Sequence, residues 1–224
     1  MFMQKTKPVL LILGLLCASL TGAIAQDASL TPAAANKILL KASAPFEDAI
    51  GPALAHNAKG IAGQLAAADD AAEGVKSALP ADAAKKFGDL LQTIHKAADA
   101  KDDFAVAQNC LTTFRLLVDN LRRDALKVPV EVELLDYAGY QIQILAAGKK
   151  PDWNAMSKTA ADAAAWWKEL APKVTAKHVR EATTSALSGL SQAAQEKNPG
   201  KIQLAAQMTL DLVDVMEDVF KGKL

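Results

Sequence analysis

The sequence predicts an all-α protein of about eight antiparallel helices, set as stacked hairpins in two four-helix up-and-down units. Three observations carry that prediction. Helix-favouring Ala, Leu, Gln, Lys, Asp and Glu dominate from Phe46 onward, while β-branched and aromatic runs are scarce. Breakers recur about every 20 to 27 residues, which leaves room for helices of roughly 20 residues, each about 30 Å long. Between breakers the apolar residues are spaced by three and four, the period of a helix that turns one face to a core.

The breakers are Asn57 to Gly60, Pro80, Lys101 to Asp103, Val128-Pro129, Gly148 to Asp152, Pro172 and Lys197 to Gly200. Phe104, Ala107, Leu111, Phe114, Val118 and Leu121 form one core stripe, and Met156, Ala160, Ala163, Trp167 and Leu170 another. After every second break an apolar residue restarts the pattern, as Ile61, Phe104, Trp153 and Ile202, the last three 49 residues apart. Each follows a polar turn (NAKG, KDD, KKPD, KNPG). Such a period reads as helical hairpins, none able to bury its apolar face alone. The stretches AADDAAEGVKSALP, ending at Pro80, and AADAAAWWKELAP, ending at Pro172, align and suggest a duplicated four-helix unit. Short loops favour up-and-down bundles; a curved solenoid of the same hairpins satisfies the pattern too.

The N-terminus reads as a leader. Lys5 and Lys7 precede an apolar run from Val9 to Leu20, and Ala23 and Ala25 flank Ile24 as an A-x-A cleavage site. The run is shorter than the roughly 20 residues of a membrane span, so residues 1–25 are expected to be a signal peptide cut before Gln26. Leu16 before Cys17 disfavours lipid attachment there. The expected organisation is then an N-terminal segment at 26–43, a first helical unit at 44–126 and a second at 127–224. The expected compartment is the periplasm, with no stable membrane anchor once the leader is removed.

Charge and cysteine usage narrow the chemistry. With 25 basic and 25 acidic residues and no basic run longer than a pair such as Arg122-Arg123, the chain lacks the electrostatic footprint of a nucleic-acid binder. After leader removal Cys110 stands alone, so an intramolecular disulfide is excluded and packing must supply stability. Covalent haem needs C-x-x-C-H, which QNCLTTF does not provide. No G-x-S-x-G elbow and no glycine-rich phosphate loop is present. The reading is therefore not an enzyme, with no cofactor.

Two sets of residues remain as candidates. His95 and Cys110 flank the turn centred on Asp102 at similar height, and Met208 occupies in a later hairpin the position of Cys110. Thiolate and thioether ligands favour Cu(I), so His95, Cys110 and Met208 form a candidate soft-metal site. Cys110 also continues the stripe Val106, Cys110, Phe114, Leu117, as a small buried hydrophobe would. The second set is Asp136, Tyr140 and Gln143, a polar stripe at i, i+4 and i+7, opposed by Leu135, Ala138, Ile142 and Leu145. With Trp166 it forms a candidate ligand or partner surface, Gly139 permitting a close helix crossing. Adjacent helical residues point about 100° apart, so Trp167 is expected in the core and Trp166 on its flank, over another helix, the other unit or a partner.

Two resemblances add to this. His178 and Glu181 form an H-x-x-E element similar to that of exported imelysin-like proteins, which implies ligation of one ion. Those proteins carry a glycine where this chain has Ala176, and a first-turn glutamate favoured by the helix dipole is the simpler account of Glu181. The run from Glu131 to Trp153, with Asp136, Tyr137, Gly139, Asp152 and Trp153, resembles uncharacterised exported helical-hairpin proteins of proteobacteria. It departs from them at Tyr140, where a basic residue is expected, and the resemblance implies no activity. The function expected is non-enzymatic binding of a protein or small ligand, with copper or iron handling as the alternative.

Overall fold

The computed structural model describes residues 30–223. The leader, its cleavage site and Cys17 lie outside them. Eight α-helices follow: α1 (Pro32–Leu54), α2 (Ala58–Ala78), α3 (Ala81–Asp99), α4 (Asp103–Asp119), α5 (Val130–Ala147), α6 (Trp153–Leu170), α7 (Lys177–Gln195) and α8 (Pro199–Lys221). Among the described residues there is no strand, and no helix is long and apolar enough to cross a membrane.

Every predicted breaker falls at a helix boundary, for local reasons. The even-numbered helices begin at an Asx cap. Asn57, Asp102, Asp152 and Asn198 each accept a hydrogen bond at 3.0 Å from the backbone N–H three residues on, satisfying a donor that the first helical turn leaves free. Before three of these caps stands a residue in the left-handed region, His56 at φ 53°, Lys101 at 55° and Lys197 at 52°. At each, the following N–H reaches back to the preceding helix, as Asn57 does to the carbonyl of Pro52 at 2.8 Å and Asp102 to that of Ala97 at 2.9 Å. The hairpin turn is thus one motif used three times, a left-handed stop followed at once by an Asx start. Pro80 and Pro129 stand directly before α3 and α5, where a missing N–H costs no helical bond.

The start of the first unit differs from the expected residue 44. Helix α1 begins at Pro32, capped by Thr31, whose hydroxyl accepts from the Ala34 N–H at 3.2 Å. Pro45 and Pro52 lie inside it. Each removes a backbone donor and would break an isolated helix, but burial overrides that local cost. Phe46 and Ile50 are fully buried, and the Phe46 ring meets Phe87 edge-on at 5.9 Å. Asn36 is tied by a reciprocal pair, donating to the Arg122 carbonyl at 2.8 Å and accepting from the Arg122 N–H at 2.7 Å.

Helices α1 to α4 pack in a ring closed by α1 against α4, and α5 to α8 in a second ring closed by α5 against α8. The rings are joined through α5, which also packs on α4 and α1. Helix α5 therefore serves both cores. Val130, Leu134 and Ile144 enter the first, and Val132, Leu135, Ala138 and Ile142 the second. The second core is completed by the predicted α6 stripe Met156, Ala160, Ala163, Trp167 and Leu170. Gly139 makes the α5–α8 crossing possible, since a Cβ there would lie 2.5 Å from Leu210 Cδ2.

Candidate functional site

Among the described residues, two clefts bring together acidic side chains from more than one helix. The larger, about 620 Å³, runs between α2 and α3 over Ile61 and Leu65. Its histidines are already engaged, His95 Nε2 with Asp69 Oδ1 and His56 Nδ1 with Asp103 Oδ2, both at 2.8 Å. His56 is 79% and Asp69 50% exposed, so solvent screens these pairs. The smaller cleft, about 500 Å³, lies where the bundles meet and holds the unusual chemistry.

Its walls come from three elements and the α4–α5 connection. Helix α1 supplies Leu40, Ala44, Glu47 and Asp48; the connection, Leu121, Leu126, Lys127 and Val128; α5, Glu133; and α8, Asp214, Glu217 and Lys221. Next to Glu47, though not itself lining the cleft, is Asp136 of α5, only 7% exposed. The two cations of the cleft are both committed. Lys221 bonds Glu217, and Lys127 Nζ donates to the Lys221 backbone carbonyl at 2.8 Å. Among the described residues, Glu47, Asp48, Glu133, Asp136 and Asp214 form no salt bridge, no basic side chain lying within 4.0 Å of them.

Burial with like charges as neighbours raises the proton affinity of Glu47, Glu133, Asp136 and Asp214. Burial pushes the Glu133 carboxyl up to about 7, helped by Glu217 and Glu47. Asp136 is held well above the ordinary carboxylate range, by burial first and then by Glu47. Glu47 and Asp214 are raised as well, burial again being the main cause. The side-chain contact between the two carboxyls acts in opposite directions, raising the proton affinity of Asp136 and lowering that of Glu47. The Tyr140 hydroxyl reaches the same carboxylate, Oη to Oε1 at 3.5 Å, and burial raises its pKa.

Elsewhere on α5 an acid is treated differently. Glu131 is 5% exposed, yet accepts from Arg123 Nη1 at 3.0 Å and lies 3.6 Å from Lys173 Nζ. One helix thus buries a compensated carboxylate and, within two turns, an uncompensated group. Uncompensated buried acids oppose folding, and such groups concentrate where a protein binds or reacts.

The predicted stripe Asp136, Tyr140 and Gln143 does lie on one face of α5, but between helices. Asp136 and Tyr140 face Glu47, whereas Gln143 Nε2 donates to Gln207 Oε1 of α8 at 3.1 Å. Trp166 is a junction residue rather than an open surface. Its ring meets Tyr137 at 6.5 Å, and the Arg115 guanidinium lies 5.3 Å from it and 4.9 Å from Tyr137. The candidate metal set is not brought together. His95 faces Asp69, Cys110 is fully buried in the first core, and Met208 is 43% exposed on α8 of the other bundle. Burial pushes the Cys110 thiol up to about 12, the opposite of what thiolate ligation needs. His178 and Glu181 are both exposed; Glu181 falls beyond the first turn of α7, where its partner is Lys177 Nζ at 3.6 Å.

Sequence reasoning missed Glu47, Asp48, Glu133, Asp214 and Glu217. Glu133 and Asp136, like Asp214 and Glu217, are three apart and share a helix face, but nothing in the sequence says that those faces meet. No protein-family model, curated protein or solved structure matches this chain.

Proposed function

We propose that this chain is a periplasmic, non-enzymatic binding protein whose ligand is a small organic cation held in the cleft between the bundles. The observation that carries the reading is the set of five carboxyl groups in and beside one cleft that have no cation partner among the described residues. Leu40, Leu121, Leu126 and Val128 add an apolar wall, so the matching ligand is an ammonium group on a hydrocarbon body. An organic cation fits better than a metal ion, because among the described residues no three His, Cys, Asp or Glu side chains converge as a metal ligand set. The copper or iron alternative rests on His95, Cys110 and Met208, which stand apart, or on His178 and Glu181, which are exposed, with Glu181 3.6 Å from Lys177 Nζ.

Calorimetric titration of the purified protein at pH 8 tests this, with 1,6-diaminohexane and hexylammonium as cations and 1,6-hexanediol as the neutral control. Saturable binding of the amines is expected, weakened by added salt and by Glu133→Gln or Glu217→Gln, with none for the diol. Absence of saturable amine binding, or equal binding of the diol, overturns the proposal.

A further inference from the structure

The two bundles repeat one another in their buried positions. Leu39, Ala42 and Phe46 of α1 are spaced as Leu135, Ala138 and Ile142 of α5; Ile61, Leu65 and Ala68 of α2 match Met156, Ala160 and Ala163 of α6; Val106, Cys110 and Phe114 of α4 match Ile202, Ala206 and Leu210 of α8. In that register the α4 face that packs at the junction has a counterpart on α8, and the α5–α6 face that it meets has one on α1 and α2. At the junction Arg115 of α4 lies 4.9 Å from the Tyr137 ring and 5.3 Å from that of Trp166. The counterpart of Arg115 is Asp211; those of Tyr137 and Trp166 are Lys41 and Ala71.

These counterparts are open, and they complement each other. With alanine at the place of Trp166, α1 and α2 border a groove of about 300 Å³, walled by Ile38, Pro45, Ala67 and Ala71, with Lys41 and Asp70 as its charged lining. On α8, Leu204 is 64% and Met208 43% exposed; with Leu30 they are the large apolar side chains left exposed among the described residues. They share one helix face with Asp211, at the places where α4 carries the polar, exposed Gln108 and Thr112. Leaving such side chains in water is unfavourable, and covering them against another surface removes that cost. Among the described residues neither Lys41 nor Asp211 has a salt-bridge partner.

We infer that α8 of one copy docks in the α1–α2 groove of a second copy, as α4 docks on α5 and α6 within the chain. Leu204 and Met208 fill the space that Ala71 leaves, and Asp211 pairs with Lys41, a helix seated in a groove by anchors one turn apart. The contact joins two different surfaces, so each copy added leaves one of each free and growth does not stop at a dimer.

Sedimentation velocity of the purified chain across the micromolar to millimolar range tests this. The mass of the wild-type chain is expected to rise with concentration, past the dimer. Leu204→Asp spoils the α8 face and Ala71→Trp fills the groove, and each should weaken association at least about tenfold. An equal mixture of these two variants retains one intact surface of each kind, and should form a one-to-one dimer that grows no further. Lys41→Glu and Asp211→Lys should each weaken association, and both changes in one chain should restore it. A chain that stays monomeric throughout, association untouched by Leu204→Asp or by Ala71→Trp, or a mixture of the two that does not associate overturns the proposal; failure of the paired charge change to restore association overturns the Lys41–Asp211 contact.

Discussion

Glu131 and Asp136 sit on the same helix, both less than a tenth exposed, and their surroundings are opposite. Glu131 points to the outer end of α5, where Arg123 and Lys173 reach it from solvent. Asp136 points between α1 and α8, where its neighbours are carboxyls. The comparison teaches that this chain offsets one buried acid with cations and leaves another, at the junction of the bundles, among carboxyls, where burial raises its proton affinity.

The largest effect bounds the comparison from outside, in the apolar core. Trp167→Ala should cost about 3 to 5 kcal/mol in chemical denaturation, since the ring fills the second core and its Nε1 donates to Thr184 Oγ1 at 3.0 Å. Trp166→Ala should cost less, about 1 to 2 kcal/mol, because its half-buried ring lies over Tyr137 and Arg115 at the junction. Equal losses would show that the contact of Trp166 with Tyr137 and Arg115 is packed as tightly as the second core.

Next in size is Glu133→Gln. With its pKa raised from 4.5 to about 7, the folded chain holds a proton that the unfolded chain releases. Its ionisation therefore weighs nothing below pH 4.5, opposes folding increasingly as pH rises through that interval, and reaches its full penalty above 7. Glu133→Gln should stabilise the ligand-free protein by about 2 to 3 kcal/mol at pH 8 and leave it unchanged at pH 4. Denaturant midpoints at the two pH values measure this; a loss of stability at pH 8 would mean that Glu133 has a cation partner in solution.

Glu131→Gln should move stability the other way, by about 1 to 2 kcal/mol lost at pH 8, since it breaks the contacts with Arg123 and Lys173. The same sign for both glutamates would erase the contrast drawn along α5. The smallest effects separate the shared helix from an edge helix. A Cβ at Gly139 displaces Leu210 across the α5–α8 crossing, whereas one at Gly88 of α3 meets nothing within 4 Å. Thermal melts should show Gly139→Ala destabilised by about 1 kcal/mol and Gly88→Ala stabilised by about 0.5 to 1 kcal/mol.

Much of the helical layout was legible because it is written in local chemistry. The Asx caps at Asn57, Asp102, Asp152 and Asn198 are what the predicted polar turns contain, and the α6 stripe at a spacing of three and four is buried as read. The start of α1 was not legible, because Pro45 and Pro52 are local breakers that only the packing of Phe46, Ile50 and Asn36 overrides. Along α5 the sequence showed a polar stripe, and the natural reading of a polar stripe is a solvated face. That reading requires a helix with one core to serve.

By itself, then, the sequence determined the number of helices, their turns and core faces such as that of α6, since caps, breakers and apolar period act over a few residues. The tertiary structure alone decided that α5 serves two cores, and so that its remaining polar face, with Glu133, Asp136 and Tyr140, is enclosed against Glu47 and α8. It also decided that His95, Cys110 and Met208 stand in three separate settings. The physical reason is that proton affinity and ligand geometry depend on which side chains from distant segments share a low-dielectric space, and no local period encodes that neighbourhood.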